Sequence, residues 1–448
     1  MRLRLLALLA VCALRLGAQT AGAPHPVVLI SIDGLKPEYV LGPDEYGLKI
    51  PHLRALVARG AHASGVMGVV PTVTYPSHTT LVTGAAPARH GIVANTTFDP
   101  LSKNQDGWYW YASDIRVPTL WDAVAGAGRT SANVHWPVTV GARITWNLPQ
   151  YWRTGEPDDR KLVRALSTPG LYDALERELG EPYADGIDET IEGDERRARF
   201  AAHLVETKHP ALMLAYFTAL DHEEHHSGPF SPAALATLER IDAIVGTMLA
   251  AAHRAYGDDV VVAIVSDHGF QRVDKSLNLV FALRSAGLVD FPAGADTKPS
   301  GWRAAVWPAG GSAAIVLRDS ADRQTQSRVA ELLRSLSADS ANGIERVVGA
   351  AELRRRGGFP VAAFLVSMKE GYTIGGDPRG PLLADVPVGG NHGYWPDSPG
   401  MRATFIIAGP GIPRDRDLGL IDQRAIAPTL ARLLKVHLPA AELAPLFP

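Results

Sequence analysis

Four continuous apolar runs, rich in β-branched residues, constrain the fold of this chain more than any other feature. They are PVVLISID (26–33), ALMLAYF (211–217), DVVVAIVSD (259–267) and ATFIIAG (403–409). Because polar residues do not alternate with the apolar ones, each run predicts a strand that is buried on both faces. Helical patterns lie between the runs, at 194–208, 231–257 and 321–338, and after the last run, at 422–436. This alternation predicts an α/β fold with a mostly parallel central sheet flanked by helices.

Residues 275–388 have a different character. Gly/Pro-rich joints there connect a strand SAAIVL, the helix at 321–338 and a later run AAFLVSM. We predict that they form a smaller α/β lobe inserted into a main domain made of 24–274 and 389–448. The chain has 448 residues, of which 46% are hydrophobic and 20% charged, and this composition is sufficient for a large globular core.

The N-terminal stretch MRLRLLALLAVCALRLGAQT has the layout of a secretory signal peptide, with arginines, an apolar run and then small residues. We predict a signal peptide over 1–18, with cleavage there or as late as 23. Arg15 interrupts the run, which falls short of the ~20 residues that span a bilayer, so we expect no stable membrane anchor. The single cysteine, Cys12, lies in this stretch, so we expect no disulfides in the mature protein. We expect the protein to be periplasmic or secreted. The formal net charge is −3, and the sequence gives no sign of a basic face that would bind a nucleic-acid polymer.

Acidic residues and histidines follow the predicted strands where each strand ends. Asp33 follows the first run, Asp221 opens DHEEHHSGP (221–229) after the second, and Asp267-His268 ends the third. A fourth cluster, GGNHGY (389–394), carries His392. The carboxyl ends of parallel strands meet at one edge of a sheet, and oxygen and imidazole donors without sulfur suit Zn²⁺ or a similar divalent ion. Any one of these residues alone is more typical of a helix cap or a turn.

The spacing inside DHEEHHSGP does not decide which of two residue pairs would bind a metal. Asp221 and His225 are four residues apart, and so are His222 and His226, so either pair would share one helical face.

The segment VVPTVTYPSHTTLVTGAAPARHGIVAN (69–95) predicts a helix that begins near Thr74 and Tyr75. Free backbone amides and the helix dipole at such an N-terminus favour an anion. A hydroxyl nucleophile beside a metal could attack a phosphate that these amides hold. The segment therefore indicates phosphoryl transfer, although most of its hydroxyls are expected to cap or to contact solvent.

Taken together, these motifs resemble the alkaline phosphatase superfamily and, within it, the nucleotide pyrophosphatase/phosphodiesterase family. The resemblance rests on Asp33 in SIDG, Thr74 in PTVTYPSHTTLVTG, Asn95 in HGIVAN, DHEEHHSGP, SDHG and NHGY, which follow the family's order. It implies an alkaline-phosphatase-like core, two Zn²⁺ ions and a phosphodiester or nucleotide as the small-molecule substrate.

The resemblance also implies a role for each site residue. One zinc would be bound by Asp221, His225 and His392, and the other by Asp33, Asp267, His268 and Thr74. Thr74 would be the nucleophile that forms a phosphothreonine intermediate. Asn95 and the amide of Tyr75 would donate hydrogen bonds to a phosphoryl oxygen. His222, Glu223, Glu224 and His226 would face solvent or support the ligands.

Two sequence features bear on the substrate. The stretch ANVHWPVTVG (132–141) resembles the diesterase family's Trp-Pro-Gly segment, with Val138 in place of the glycine, and has no lysine or arginine for the extra charge of a monoester. Tyr75, Tyr151 and Trp152 could stack on a nucleobase or enclose a choline group. Trp108 and Trp110 fit core packing equally well. A phosphate monoesterase is the alternative enzyme, and a catalytically silent metal-binding protein is the non-enzymatic alternative.

Overall fold

The computed structural model describes residues 23–104, 107–184, 188–292 and 298–447. The predicted signal peptide, with Cys12, lies outside these residues.

The strands of the described residues are, in chain order, β1 (Val27–Ile32), β2 (Ala61–His62), β3 (Gly65–Met67), β4 (Ser131–Val134), β5 (Trp146–Leu148), β6 (Leu212–Phe217), β7 (Val261–Val265), β8 (Gln271–Asn278), β9 (Val289–Asp290), β10 (Gly301–Trp302), β11 (Ala304–Ala309), β12 (Ser312–Leu317), β13 (Ile344–Gly349), β14 (Ala362–Met368), β15 (Gly371–Gly375), β16 (Leu383–Asn391), β17 (Phe405–Ala408), β18 (Arg416–Asp417) and β19 (Leu420–Asp422).

The α-helices are α1 (Pro37–Leu41), α2 (Pro51–Arg59), α3 (Thr74–Thr83), α4 (Pro87–His90), α5 (Leu120–Gly126), α6 (Asp159–Leu166), α7 (Leu171–Leu179), α8 (Ile191–Lys208), α9 (Ala219–Ser227), α10 (Pro232–Tyr256), α11 (Leu279–Ser285), α12 (Arg323–Ala338), α13 (Ala350–Arg356) and α14 (Ile426–Leu433).

The central sheet has eight strands in the order β18-β2-β17-β7-β1-β6-β4-β5. Strand β1 pairs in parallel with both β6 and β7, and β4 pairs in parallel with β6 and β5. Alternate residues of β1 enter two different hydrophobic cores, one packed with α2, α8 and α10 and the other with α3, α5 and α14. The predicted α/β fold with a mostly parallel sheet flanked by helices is therefore confirmed.

Strand β17 runs antiparallel to both of its neighbours, β7 and β2. The sequence pattern of 403–409 predicted a strand buried on both faces but did not reveal its direction. Because β17 is reversed, the segment that precedes it, and not the one that follows it, enters the edge where the parallel strands end. This direction brings the cluster 389–394 to the same edge as the other polar clusters.

The strands between β7 and β17 form sheets of their own. Strands β11, β12, β14 and β13 make an antiparallel sheet, and β8 joins β15 and β16 in a three-stranded one. Strands β8 and β16 each cross a boundary of the predicted insert, at 274/275 and 388/389. The division of the chain into two domains stays a prediction. Of the helices in the described residues, none is long and apolar enough to cross a membrane.

Candidate active site

Three aspartates meet where β1, β6 and β7 end. Asp33 directly follows β1, Asp267 follows β7, and Asp221 lies in the first turn of α9, which begins just after β6. Asp33 is 2% exposed and Asp267 is fully buried. The sheet is parallel here, so its geometry draws these carboxylates to one edge.

Three histidines complete the cluster with a shared orientation. The Nδ1 atoms of His225, His268 and His392 pair with the backbone carbonyls of Gly390 (3.1 Å), Gly269 (3.2 Å) and Thr72 (3.2 Å). A carbonyl at Nδ1 fixes the tautomer with the proton on that atom and leaves Nε2 as the metal-binding atom. All three Nε2 atoms face carboxylates: that of His225 is 3.4 Å from Asp221 Oδ2, that of His268 is 3.0 Å from Asp267 Oδ2, and that of His392 is 3.7 Å from Asp221 Oδ1.

The donor atoms fall into two groups that could each hold a metal ion. One group consists of Asp33, Asp267 and His268, and the other of Asp221, His268 and His392. His268 belongs to both, and its ring stacks on that of His392 with centroids 3.7 Å apart. His225 lies beside the second group through its contact with Asp221. All six ligands implied by the sequence are thus brought together, while their division between two ions stays a prediction.

The chemistry of these residues fits bound cations. Asp33 Oδ1, Asp221 Oδ1 and Asp267 Oδ2 are buried and have no hydrogen-bond partner among the described residues. Burial and the neighbouring carboxylates raise the pKa of Asp33 and of Asp221 well above the usual value. Unpaired buried carboxylates are costly, and a divalent cation removes that cost.

Two of these histidines, His225 and His392, are held in the neutral form that binds metals. Burial lowers the pKa of His225 to about 4. Burial, with His268 and His225 nearby, lowers the pKa of His392 well below its usual value. These imidazoles are therefore unprotonated at neutral pH and have a lone pair available at Nε2.

Thr74 is the first residue of α3 and lies beside the cluster. It is 8% exposed, and its Oγ1 is 3.5 Å from His268 Nε2. Val73, the N-cap residue of α3, does not cap the first backbone amides of the helix with its side chain. The hydroxyl, the helix N-terminus and the metal-binding atoms therefore face one small volume.

Asn95 lies next to this helix start, but its contact differs from the expected one. The Tyr75 amide donates a 2.8 Å hydrogen bond to Asn95 Oδ1. The sequence predicted that this amide and Asn95 would both donate to a phosphoryl oxygen. In the structure the amide is occupied by Asn95, which leaves the Nδ2 group of Asn95 as the remaining donor.

Tyr75 is buried, in contrast to the open stacking surface expected of it. It is 1% exposed, its hydroxyl donates to Gln150 Oε1 at 2.8 Å, and Trp108 packs edge-on against its ring at 5.1 Å. Tyr151 and Trp152 are partly buried and pack on Trp110 at 5.0 and 4.4 Å. These aromatic residues therefore form one cluster, in which Tyr75 and Trp110 are buried and Trp108, Tyr151 and Trp152 are partly accessible.

Val138, which the resemblance places at the position of the family glycine, has a glycine-like backbone. Its φ is 57°, in the left-handed region, although it is β-branched and 1% exposed. This turn is therefore left-handed even though a valine occupies it.

Sequence reasoning missed several residues that support the ligands. The Tyr216 hydroxyl donates to Asp33 Oδ2. Asp194 of α8 accepts hydrogen bonds from the amides of Thr218 and Ala219 at the start of α9. A tyrosine inside the apolar run 211–217 was a usable signal, because a buried hydroxyl needs a partner. Asp194, within the charged stretch DERRARF, gave no such signal.

Glu224, which we predicted to face solvent or to support the ligands, does not face solvent. It is fully buried, and the Tyr39 hydroxyl donates to its Oε1 at 2.6 Å. Burial raises its pKa to about 8. A Cβ on Gly34, whose φ is +71°, would lie 2.9 Å from Glu224 Oε2, so the turn after β1 requires glycine. Glu224 thus connects α9 to the loop that carries Asp33.

The family model for type I phosphodiesterases/nucleotide pyrophosphatases matches residues 27–395. The chain belongs to this family. The match spans most of the chain and includes every predicted metal ligand. The family is metal-dependent, and the two candidate metal groups agree with that property.

Curated relatives of the family are similar over about half of the chain. A pyrophosphatase/phosphodiesterase of Schizosaccharomyces pombe, described as uncharacterised, is 27% identical over 251 residues, or 54% of this chain and 44% of the relative. Human ectonucleotide pyrophosphatase/phosphodiesterase family member 5 is 28% identical over 249 residues, again 54% of this chain and 44% of the relative. The matched region is therefore less than half the length of these relatives.

Solved structures of the family share the fold over nearly the whole chain. Human ectonucleotide pyrophosphatase/phosphodiesterase 5 superposes with a TM-score of 0.63 at 21% identity, covering 92% of this chain and 95% of that one. The murine protein, as an inactive variant in complex with AMP, gives a TM-score of 0.65 at 20% identity, covering 92% and 96%. These likenesses confirm the family's fold for this chain.

Proposed function

We propose that this chain is a zinc-dependent phosphodiesterase and nucleotide pyrophosphatase that cleaves phosphodiester or phosphoanhydride bonds through a phosphothreonine at Thr74. One observation carries the proposal. Thr74 is the first residue of α3, and its Oγ1 lies 3.5 Å from Nε2 of His268, the residue that belongs to both candidate metal groups. A substrate phosphoryl group bound beside these residues would lie next to this hydroxyl.

The chain's own residues would carry out two displacements. Thr74 Oγ1, having lost its proton to water, attacks phosphorus, and the bond to the leaving oxygen breaks as the Oγ1–P bond forms. Water then attacks phosphorus from the vacated side and releases Thr74, so that two inversions give net retention. Asn95 Nδ2 would donate to a non-bridging oxygen, a contact whose loss typically costs about 3 kcal/mol of transition-state stabilisation.

Charge balance supports two divalent cations, which we propose to be zinc. Bound zinc would act as a Lewis acid that lowers the pKa of the Thr74 hydroxyl and stabilises the leaving oxygen. Asp221, His225 and His392 would bind one ion, and Asp33, Asp267, His268 and Thr74 the other. Three carboxylates and one alkoxide would neutralise two divalent cations, whereas a single ion would leave excess negative charge in a buried site.

A diester fits this site better than a monoester. The segment 132–141 contains no lysine or arginine to bind the second negative charge of a monoester. The AMP complex of the murine relative supports a nucleotide as the small-molecule substrate, and the partly accessible Trp152 and Tyr151 offer rings against which a base could stack. A phosphate monoesterase stays the alternative.

We further propose that the protein is exported to the periplasm or secreted, as the N-terminal stretch of the sequence suggests. The catalytic domain would comprise 24–274 and 389–448, with 275–388 as a smaller lobe. The hydrophobic core built around α11, α12 and the strands next to them supports such a lobe.

The decisive experiment compares diester and monoester substrates in the wild type and in a variant that lacks the proposed nucleophile. Purified protein is assayed with bis(p-nitrophenyl) phosphate, a nucleoside p-nitrophenyl phosphodiester and p-nitrophenyl phosphate, before and after Thr74→Ala. We expect the diesters to be preferred by kcat/KM, and turnover to fall by at least about 10³-fold in Thr74→Ala with zinc content unchanged. Thr74→Ser is the matched control and should retain measurable turnover.

A preference for p-nitrophenyl phosphate would favour the monoesterase alternative. If Thr74→Ala hydrolysed diesters at the wild-type rate, the proposed nucleophile would be wrong. A protein that binds zinc and nucleotides but turns over no ester would support the silent binding protein instead.

A further inference from the structure

We propose that His222 and His226, on the outer face of α9, bind a third divalent transition-metal ion outside the candidate active site. The two residues lie one helical turn apart, and their ring centroids are 4.5 Å apart with an interplanar angle of 47°. Imidazoles at this spacing on a helix can both reach one ion at the usual metal–nitrogen distance of about 2.0–2.1 Å.

The orientation of both rings matches that of the predicted ligands. His226 Nδ1 pairs with the His222 backbone carbonyl at 2.8 Å, and His222 Nδ1 lies 3.3 Å from Glu189 Oε2. A carbonyl or a carboxylate at Nδ1 is the arrangement that orients metal-binding histidines, because it fixes the proton there and leaves the Nε2 lone pair free. His225, His268 and His392 show the same arrangement.

The Nε2 atoms of this pair remain available. In the part of the chain that the structure describes, no hydrogen bond reaches Nε2 of His222 or of His226. The His222 side chain is 43% exposed, and His226 is exposed. Solvent can therefore deliver a metal ion and supply water for its remaining coordination positions.

The pair is separate from the proposed catalytic ligands, although it lies on the same helix. Asp221 and His225 face each other at 3.4 Å and turn toward His392, whereas His222 and His226 are each one residue, or about 100°, further around α9. Two imidazole nitrogens, with water as the further ligands, suit borderline ions such as Zn²⁺, Ni²⁺ and Cu²⁺ rather than Mg²⁺ or Ca²⁺. The proposed site is therefore a solvent-exposed, exchangeable transition-metal site.

The test uses the untagged, zinc-loaded full chain titrated with Cu²⁺, with calorimetry for stoichiometry and electron paramagnetic resonance for the ligands. We expect one copper per chain beyond the zinc that is already bound, with hyperfine coupling to two imidazole nitrogens. His222→Gln and His226→Gln should each weaken this binding by at least about tenfold, while tightly bound zinc and ester hydrolysis are retained.

His203→Gln is the matched control. His203 is also helical and paired with a carboxylate, Glu178, at 2.7 Å, but it has no histidine four residues away. We expect this variant to bind copper like the wild type. Unchanged copper affinity in both His222→Gln and His226→Gln, or a spectrum with a single nitrogen ligand, would overturn the proposal.

Asp267→Asn separates this site from the proposed function. If the variant loses tightly bound zinc and hydrolysis but keeps the copper spectrum, the outer site is independent of catalysis. If copper binding disappears together with the catalytic zinc while the fold is retained, the outer pair is not a metal site in its own right.

Discussion

Asp194 of α8 caps Ala219, the first residue of α9, although the two are 25 residues apart. Its Oδ2 accepts hydrogen bonds from the amides of Ala219 and Thr218, both at 2.8 Å, and Oδ1 accepts from Arg197 at 2.9 Å. Thr218, the local N-cap residue, makes no side-chain cap of its own. Asp194 therefore supplies the cap of the helix that carries Asp221 and His225, and it fixes where that helix begins.

Removal of this cap should destabilise the protein strongly. Asp194 and Arg197 are both fully buried, so Asp194→Ala would leave a buried guanidinium without its carboxylate and cost about 3–5 kcal/mol of unfolding free energy. Asp194→Asn keeps an acceptor oxygen for the amides and should cost less. Urea denaturation of the zinc-loaded proteins measures the unfolding free energy of both variants. Equal losses of unfolding free energy would show that the capping oxygen does not contribute to stability.

Chelation should distinguish Asp267→Asn from the wild type. In the wild type, metal removal leaves three buried carboxylates together, so we expect a chelator to lower the thermal midpoint by several degrees. Asp267→Asn keeps an acceptor oxygen for the Gly34 amide, 3.3 Å away, but loses a charge and a ligand. Its midpoint should be insensitive to chelator and no lower than that of the metal-free wild type. Scanning calorimetry with and without chelator provides the measurement. A thermal midpoint of the wild type that does not change with chelator would contradict the metal-site assignment.

The apolar runs and the family motifs were sufficient to predict the sheet, its flanking helices and the gathering of six candidate ligands. They succeed because buried parallel strands impose continuous apolarity, and because parallel strands present their carboxyl ends at one edge. The direction of β17 was not predictable in this way, since an apolar run reads the same in a parallel and an antiparallel strand.

Residues that act through tertiary contacts were also beyond the sequence. Asp194 lies among charged helix residues, and only the packing of α8 on α9 distinguishes it from its solvated neighbours. Glu224 lies in a polar hexapeptide, and its burial depends on the Tyr39 hydroxyl, which is 185 residues away in sequence. The burial of Tyr75 likewise depends on Trp108, whose packing the sequence left undecided between core and ligand contact.

His90 should make the stability of the protein fall as the pH decreases. Burial lowers the pKa of His90 to about 3 in the folded protein, while the unfolded value is near 6.5. Below about pH 6.5 the unfolded chain takes up a proton that the folded protein excludes. The unfolding free energy therefore falls by about 1.4 kcal/mol per pH unit down to about pH 3, and the contribution is fully present only above pH 6.5.

His90→Asn tests this dependence. The asparagine oxygen can replace Nδ1 as the acceptor for the Ile92 amide, now at 3.2 Å, but the contact from Nε2 to Thr80 Oγ1, at 3.1 Å, is lost. We expect the wild type to be more stable at pH 7 and its advantage to shrink by about 2 kcal/mol between pH 7 and pH 5. Urea denaturation at the two pH values provides the measurement, and a difference that does not change with pH would refute the assignment.

Val138 should tolerate replacement by glycine better than other buried valines. Its left-handed φ of 57° costs a β-branched residue about 1–2 kcal/mol. Glycine removes that strain, which offsets much of the apolar burial lost with the side chain, about 1.5–3 kcal/mol. Val134, fully buried in β4, is the matched control because its backbone is that of an ordinary strand. Val134→Gly should therefore lower the unfolding free energy by at least about 1 kcal/mol more than Val138→Gly does. Denaturant midpoints of the two variants, measured under one set of conditions, give the comparison. Equal losses would mean that the left-handed turn at Val138 carries no strain.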